Sequence, residues 1–363
     1  MTDRLRDELI TLTTDLMRFR STAAHPDQIM AAMDYAAAYL GDIPGIFIER
    51  VEHNGVPSLV ATLHKTRAPA LMLNGHLDVV AAPPELFEPT VHDGRIYGRG
   101  SQDMKGSVAA MLRLMKHLAT LDPRPDVGLQ LAGDEELGGP NGTRFMIEDD
   151  GWRCDFCITG EPTDMQICYE QKGAVWLEME LKGTPAHGSR PWDGHNPIFD
   201  YARGLLRLTE QFPPPTEEAW QTTITPTIVS SGGNSRNQIP PALRVTFDIR
   251  HTSDHSPDAL VQTVQACFPT AEILVSKSGT GLVTDPHQAA VQRLAAVTAQ
   301  LRGTPTAFYR EHFGSDARFF TAQGMAAVCF GPHGQGLHSE EEWVEIDSLV
   351  EFYTILQAYV AGM

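Results

Sequence analysis

At 363 residues the chain is longer than one comfortable hydrophobic core, so two domains are expected. Hydrophobic residues make up 42% and charged residues 20%, the balance of a soluble globular protein and not of a disordered or fibrous one. With 46 acids against 28 bases and a formal net charge of -18, it lacks the clustered Lys and Arg that nucleic-acid binding requires.

The opening MTDRLRDELITLTTDLMRFR reads as an amphipathic helix. It has neither the apolar segment of a secretion signal nor a run long enough to cross a bilayer, so a cytoplasmic protein without a membrane partner is expected. The five cysteines are an odd number, and Cys154 and Cys157 form a lone CxxC without the second pair of a thiolate metal site. They read as structural or incidental.

Between residues 58 and 171, apolar strand-like runs at 70–73, 127–131 and 156–158 alternate with helical patterns, which favours a mostly parallel sheet covered on both faces. After Asp103, the residues Val108, Met111, Leu112, Met115 and Leu118 recur three and four apart. That spacing is a helix with one buried stripe, and Asp103 stands at its entrance.

From about residue 173 the rhythm changes. Val175, Leu177, Met179 and Leu181 alternate as in a half-exposed strand, and a helix (197–212), two strands (222–229 and 243–251), a second helix (257–268) and a last strand (271–276) follow. This β-α-β-β-α-β order predicts an inserted ferredoxin-like domain. The α/β pattern then resumes with a helix at 287–301, a strand at 326–330 and a helix from 346 onward. The expected division is a catalytic domain split into 1–172 and 283–363, with 173–282 inserted.

His76 and Asp78 lie two apart at the end of an apolar strand in LMLNGHLDVV, so their side chains leave the same face. His76 reads as a metal ligand and Asp78 as a carboxylate that steadies the far nitrogen of its ring. Asp103 falls in the glycine-bracketed GRGSQDMKGS. Glu135 and Glu136 occur in GDEELGG, where consecutive acids raise one another's energy unless a cation intervenes. Glu161 follows a strand in CITGEPT, and His338 sits in GPHGQGLHSEEEW after the strand ending at Phe330.

Each of these residues could cap a helix or sit in a solvated loop. Several strand ends that each deliver His, Asp or Glu form one constellation, because open α/β sheets place ligand sites at the carboxyl ends of their strands. Five ligands rich in oxygen, with two imidazoles and no thiolate, suit zinc, cobalt or manganese. They are too many for one catalytic site that keeps an open position, so two divalent ions are implied. The sequence contains no GxSxG elbow, GxxxxGK[ST] phosphate loop or HExxH helix.

The motifs GHLDVV, GRGSQDMKG, GDEELGG, GEPT and GLHSEEEWV occur in the order found in the family of acetylornithine deacetylase, succinyl-diaminopimelate desuccinylase, aminoacylase and glutamate carboxypeptidase, which the chain resembles over nearly its whole length. The resemblance implies a zinc-exopeptidase-like catalytic domain and a lid domain, 173–282, that pairs two subunits into a homodimer. It implies that Asp103 bridges two ions, with His76 and Glu161 at one and Glu136 and His338 at the other. Glu135 would be the general base that takes a proton from the attacking water and delivers it to the leaving amine. A cis peptide between Asp103 and Met104 is implied as well.

LKGTPAHGSRPWDGHNPI resembles the family segment whose histidine, His187 here, reaches a partner subunit's active site to stabilise an oxyanion. GGNSRNQIPPALRVTFDIR matches elements that would make Asn237 and Arg250 binders of the substrate's carbonyl and carboxylate. The expected activity is hydrolysis of an amide in an N-acyl amino acid, next to a free carboxylate. The flank YEQKGAVW departs from the desuccinylase pattern and leaves the acyl group open. A di- or tripeptidase acting on a short peptide is the alternative of the same fold; an inactive metal-binding homologue is the non-enzymatic one.

Overall fold

The computed structural model describes residues 2–41, 43–233 and 235–363; Met1, Asp42 and Asn234, the last within GGNSRNQIP, lie outside it. The chain forms two compact units. The first runs to Glu170 and takes in Leu282–Arg310 and Ser315–Met363, and the second comprises Gln171–Gly281 with Glu311–Gly314. Boundaries placed from sequence at 172 and 282 do not separate this last short segment. It joins the second unit because Lys172 N donates to Glu311 O at 3.1 Å and the His312 ring stands edge-on to Trp220.

The first unit is built on an eight-stranded sheet in the order Phe47–His53, Val56–Thr62, Val127–Ala132, Leu71–His76, Phe156–Thr159, Ala326–Cys329, Ile167–Gln171, Phe308–Glu311. Its four central strands, from Val127–Ala132 to Ala326–Cys329, run parallel, and the strands Val56–Thr62 and Ile167–Gln171 flank them antiparallel. Central strands buried on both faces read as continuous apolar runs. Successive residues feed different cores: Leu71, Leu73, Ile158 and Val328 pack in one cluster, and Met72, Cys157, Ala327 and Cys329 in another.

The helices Thr2–Met17, Gly106–Leu118 and Ile346–Ala361 supply the first cluster with Leu9, Leu16, Met111, Met115, Phe352 and Leu356. Helices Thr143–Glu148 and Ala317–Ala322 supply the second with Met146, Ile147 and Phe320. The helix Pro26–Gly41 and the hairpin of Phe47–His53 with Val56–Thr62 lie outside the elements read from sequence. All five cysteines are buried thiols. No helix among the described residues is long and apolar enough to cross a membrane.

The second unit is a four-stranded antiparallel sheet in the order Thr223–Ser231, Ala242–His251, Gly173–Lys182, Glu272–Gly279. Helices Pro197–Gln211 and Pro257–Cys267 complete a ferredoxin-like β-α-β-β-α-β arrangement. Both begin with a side-chain cap, Asn196 accepting from Ile198 N and Ser256 Oγ from Ala259 N. Val175, Leu177, Met179 and Leu181 turn to one face of the sheet, where they meet Leu208, Phe247, Leu260 and Phe268.

Gly204 sits inside the helix Pro197–Gln211, where an alanine would ordinarily stabilise by about 1 kcal/mol. A Cβ there would fall 2.1 Å from the Phe268 ring, which is itself packed against Tyr201 and Phe247. Overpacking of about 1–3 kcal/mol outweighs the propensity gain. Gly204→Ala is therefore expected to lower the denaturation midpoint of this unit, measured by urea unfolding; a raised midpoint would contradict the packing argument.

Candidate metal centre

Four chain segments past the carboxyl ends of the parallel strands converge. His76 closes the strand Leu71–His76, in register with Ala132 of its neighbour. The neighbour's chain continues into Asp134 and a single turn, Glu135–Leu137. Glu161 lies two residues beyond Phe156–Thr159, and the chain after Ala326–Cys329 turns back to present His338.

Asp103 is at the middle, 8% exposed, in the loop between Tyr97 and the helix Gly106–Leu118. Its Oδ1 lies 3.0 Å from His76 Nε2 and its Oδ2 3.2 Å from His338 Nε2. His338 Nε2 is also 3.2 Å from Glu136 Oε2. Two groups share Asp103: His76, Asp103 and Glu161 in one, Asp103, Glu136 and His338 in the other, with their ligand atoms within 4.8 Å of one another. All five residues singled out as ligands from sequence are thus brought together. The Asp103–Met104 peptide is cis. His338 adopts a left-handed backbone at φ 59°, which costs a residue with a side chain of order 1 kcal/mol or more and is held by the surrounding turn.

The polar surroundings differ in one respect from the expected arrangement. His76 Nδ1 is 2.9 Å from the backbone carbonyl of Asp78, while the nearer carboxylate oxygen of Asp78 is 3.6 Å away. The residue steadies the ring, but through its main chain. Its buried carboxylate accepts the backbone N–H groups of Glu135 and Glu136 at 3.1 and 3.0 Å, and so aims the acidic turn. Asp134, unremarked in the sequence, accepts from the N–H groups of Asn141 and Gly142 and closes the same loop.

Burial dominates the electrostatics. It raises the Glu135 and Glu161 carboxyls well above their ordinary range, and neighbouring carboxylates add to the effect despite His76. Burial lifts Asp78 to about 7 against the opposing pull of His76. Asp103 is the exception: although burial pushes it up, hydrogen bonds with His338 and His76 hold its carboxyl well below the usual range. Hydrogen bonds with Asp103 and Glu136 raise His338 to about 10. Among the described residues, Glu161 Oε1 is buried and has no hydrogen-bond partner. Crowded carboxylates, an orphaned buried oxygen and two imidazoles on either side of one carboxylate fit a cation site with oxygen and nitrogen donors.

The structure adds residues that sequence reasoning missed. Asp316 is 2% exposed and lies against Gly139, where a Cβ would fall 2.3 Å from its Oδ1; burial raises its carboxyl too. Its place before a helix reads as a cap, yet among the described residues its side chain makes no capping hydrogen bond. Asn74, Gln130 and Thr159 form a buried hydrogen-bonded chain across the central strands just behind the ligands. Arg99, Lys105 and Glu342 are buried near Asp103 in sequence or contact.

His187, Asn237 and Arg250 belong to the second unit. Asn237 Nδ2 is 3.2 Å from His187 Nε2, and both residues are exposed. Arg250 is forked onto Asp248, Nε to Oδ1 at 2.7 Å and Nη2 to Oδ2 at 3.1 Å.

Residues 72–362 match the model of peptidase family M20/M25/M40. The chain belongs to that family. A succinyl-diaminopimelate desuccinylase of Aromatoleum aromaticum is 29% identical, covering 96% of this chain and 95% of its own. Among solved structures, aminopeptidase PepT from Bacillus cereus superposes with a TM-score of 0.80 at 16% identity, covering 98% of each chain. The M20 family metallo-carboxypeptidase Sso-CP2 from Sulfolobus solfataricus gives 0.79 at 19% identity, covering 97% of this chain and 98% of that one. These likenesses bear out the α/β fold, and the chain is a metal-dependent hydrolase of amide bonds.

Asp78→Ala leaves two backbone N–H groups of the acidic turn without their acceptor, at about 1–3 kcal/mol each. The variant is expected to lose about 3 kcal/mol of unfolding free energy in urea at neutral pH. A loss below about 0.5 kcal/mol would show that this carboxylate does not hold the turn.

Proposed function

We propose that the chain removes the acyl group from an N-acyl amino acid bearing a free carboxylate, with two divalent ions, most simply zinc, held by His76, Asp103 and Glu161 and by Asp103, Glu136 and His338. The observation that carries the reading is the Asp103 carboxylate, each oxygen of which faces a different imidazole. A bridging carboxylate between two half-sites needs that arrangement, and cobalt or manganese would suit the same donors. When bound, such ions supply Lewis acidity, polarising a carbonyl and acidifying water.

The protein's own groups do the rest. Glu135 takes a proton from the water that adds to the scissile carbonyl and returns it to the amine nitrogen as the C–N bond breaks. The raised carboxyl of Glu135 favours that return. Asp78 fixes the backbone from which Glu135 and Glu136 project. His187 would reach a partner subunit's active site as the oxyanion donor, and Asn237, within hydrogen-bond reach of His187, would bind the substrate's carbonyl. Arg250 would take the substrate carboxylate by exchanging its fork from Asp248.

The relatives support a deacylase through the desuccinylase from Aromatoleum aromaticum, and the peptidase alternative through the aminopeptidase from Bacillus cereus. The chain is also proposed to pair with a second copy through residues 173–282, where Trp192, Phe199, Leu206, Ile228 and Leu274 are exposed large apolar side chains. A monomeric mass by light scattering would exclude the pairing, and with it the reach of His187 into a partner's site, while leaving the two-ion reading and the role of Glu135 untouched.

Hydrolysis of N-acetyl and N-succinyl amino acids and of dipeptides, assayed with zinc, cobalt or manganese, separates the readings. N-acyl amino acids should be cleaved and their carboxyl amides should not; faster cleavage of dipeptides with free amino groups would favour the peptidase. Glu135→Ala should retain near two ions per chain while kcat falls about 10²–10⁴-fold. Equal activity would remove the general-base assignment. His338→Ala should lose metal occupancy, and unchanged metal content would count against its role as a ligand.

A further inference from the structure

The acidic run Glu340–Glu341–Glu342 reads as a solvated stretch, and two of its members are exposed. Glu342 is 1% exposed. Its carboxylate is the centre of a converging set of donors. Oε1 accepts the backbone N–H groups of Gln102 at 2.9 Å and Asp103 at 3.2 Å, and Oε2 accepts that of Gly100 at 3.1 Å together with Arg99 Nη1. The backbone carbonyl of Glu342 accepts Gly98 N–H at 2.9 Å as well. One residue thus gathers main-chain donors from Gly98, Gly100, Gln102 and Asp103.

Arg99 completes the arrangement in the other direction. It is 3% exposed, and while Nη1 meets Glu342, Nη2 donates to the backbone carbonyl of Ser339 at 3.2 Å. Ser339 is the residue after His338. The loop that carries Asp103 and the turn that carries His338 are therefore tied to each other twice, through the Glu342 carboxylate and through the Arg99 guanidinium. Trp343, Val344 and Glu345, which follow Glu342, pair with the strand Arg95–Tyr97 and fix the register of the tie.

We propose that Glu342 is a positioning residue for the metal centre: with Arg99 it clamps the Asp103 loop against the His338 turn, so that the carboxylate between the two half-sites meets both imidazoles. The inference rests on the two-ion reading above. Glu342 is a member of neither half-site, and it acts through the backbone of Asp103. A carboxylate offers acceptors on both oxygens, which four N–H donors require. Buried charge-assisted hydrogen bonds of this kind orient a ligand without contacting the ion, and loss of such a partner typically lowers metal affinity 10- to 100-fold.

Glu342→Gln preserves shape but turns an NH₂ group toward N–H donors. Zinc affinity, measured by competition with a chromophoric chelator, should fall at least about tenfold relative to wild type. In the chelator-stripped full chain, hydrogen exchange of the Gly100, Gln102 and Asp103 amides should accelerate, while amides of the second unit are unchanged. kcat should fall more than KM rises, and the visible spectrum of the cobalt-loaded variant should differ from wild type. Glu341→Gln, at an exposed neighbour, is expected to leave all of these unchanged.

Wild-type zinc affinity with unaltered exchange in Glu342→Gln would overturn the proposal. If that variant fails to fold, Glu342→Asp, which keeps the charge but withdraws it by one methylene, should show the same weakened binding; wild-type affinity there would also overturn it. A wild-type chain that binds no zinc would instead overturn the two-ion reading and this inference with it.

Discussion

The rest of the structure depends on negative charge held close together away from water. Asp103, the adjacent pair Glu135 and Glu136, and Glu161 come from three separate segments, and burial with mutual repulsion raises Glu135 and Glu161 well above ordinary carboxyls. Left alone, such a cluster opposes folding, because buried ions cost several kcal/mol each unless paired. Two imidazoles offset part of the cost by facing Asp103 from both sides. The remainder is the physical reason for reading the cluster as a cation site.

The fold holds the segments that carry Asp103, Glu135 and Glu136 in place through the backbone. Parallel strands buried on both faces deliver the ligands at one edge, where the chain leaves the sheet and its donors become available. Asp78 aims the Glu135–Leu137 turn, Asp134 closes it, and Glu342 holds the Asp103 loop. In each case a buried carboxylate accepts backbone N–H groups, so that the acids facing inward sit on a frame made by acids facing the chain. The second unit is organised on a different principle, an antiparallel sheet with one apolar face, and it carries His187, Asn237 and Arg250.

Much of this was legible before any coordinates. His76, Glu136, Glu161 and His338 stand after apolar runs that read as strands, and Asp103 stands at the entrance of a periodic helix, so the four strand-end residues were expected to converge at one edge of an open sheet. The ferredoxin-like order of the inserted unit was readable from alternation at Val175 to Leu181 and from the helical patterns at 197–212 and 257–268, whose caps Asn196 and Ser256 the structure adds. What escaped depends on contacts between distant segments. Glu342 looks like its exposed neighbours Glu340 and Glu341 until Arg95–Tyr97 pairs with the strand after it. Asp316 looks like a helix cap, and the division of labour in Asp78 between carbonyl and carboxylate has no sequence signature. The helix Pro26–Gly41 did carry a signal, since Ile29, Met33, Ala36 and Leu40 recur three and four apart and are all buried.

The central claim is that paired cations flank one carboxylate. Anomalous diffraction at the zinc edge, from crystals of the zinc-loaded chain, addresses it most directly. The account predicts two peaks, one on each side of Asp103, the first within bonding distance of His76 and Glu161 and the second of Glu136 and His338. Zinc bound elsewhere, or no zinc at Asp103 in a chain that hydrolyses its substrate, would contradict it.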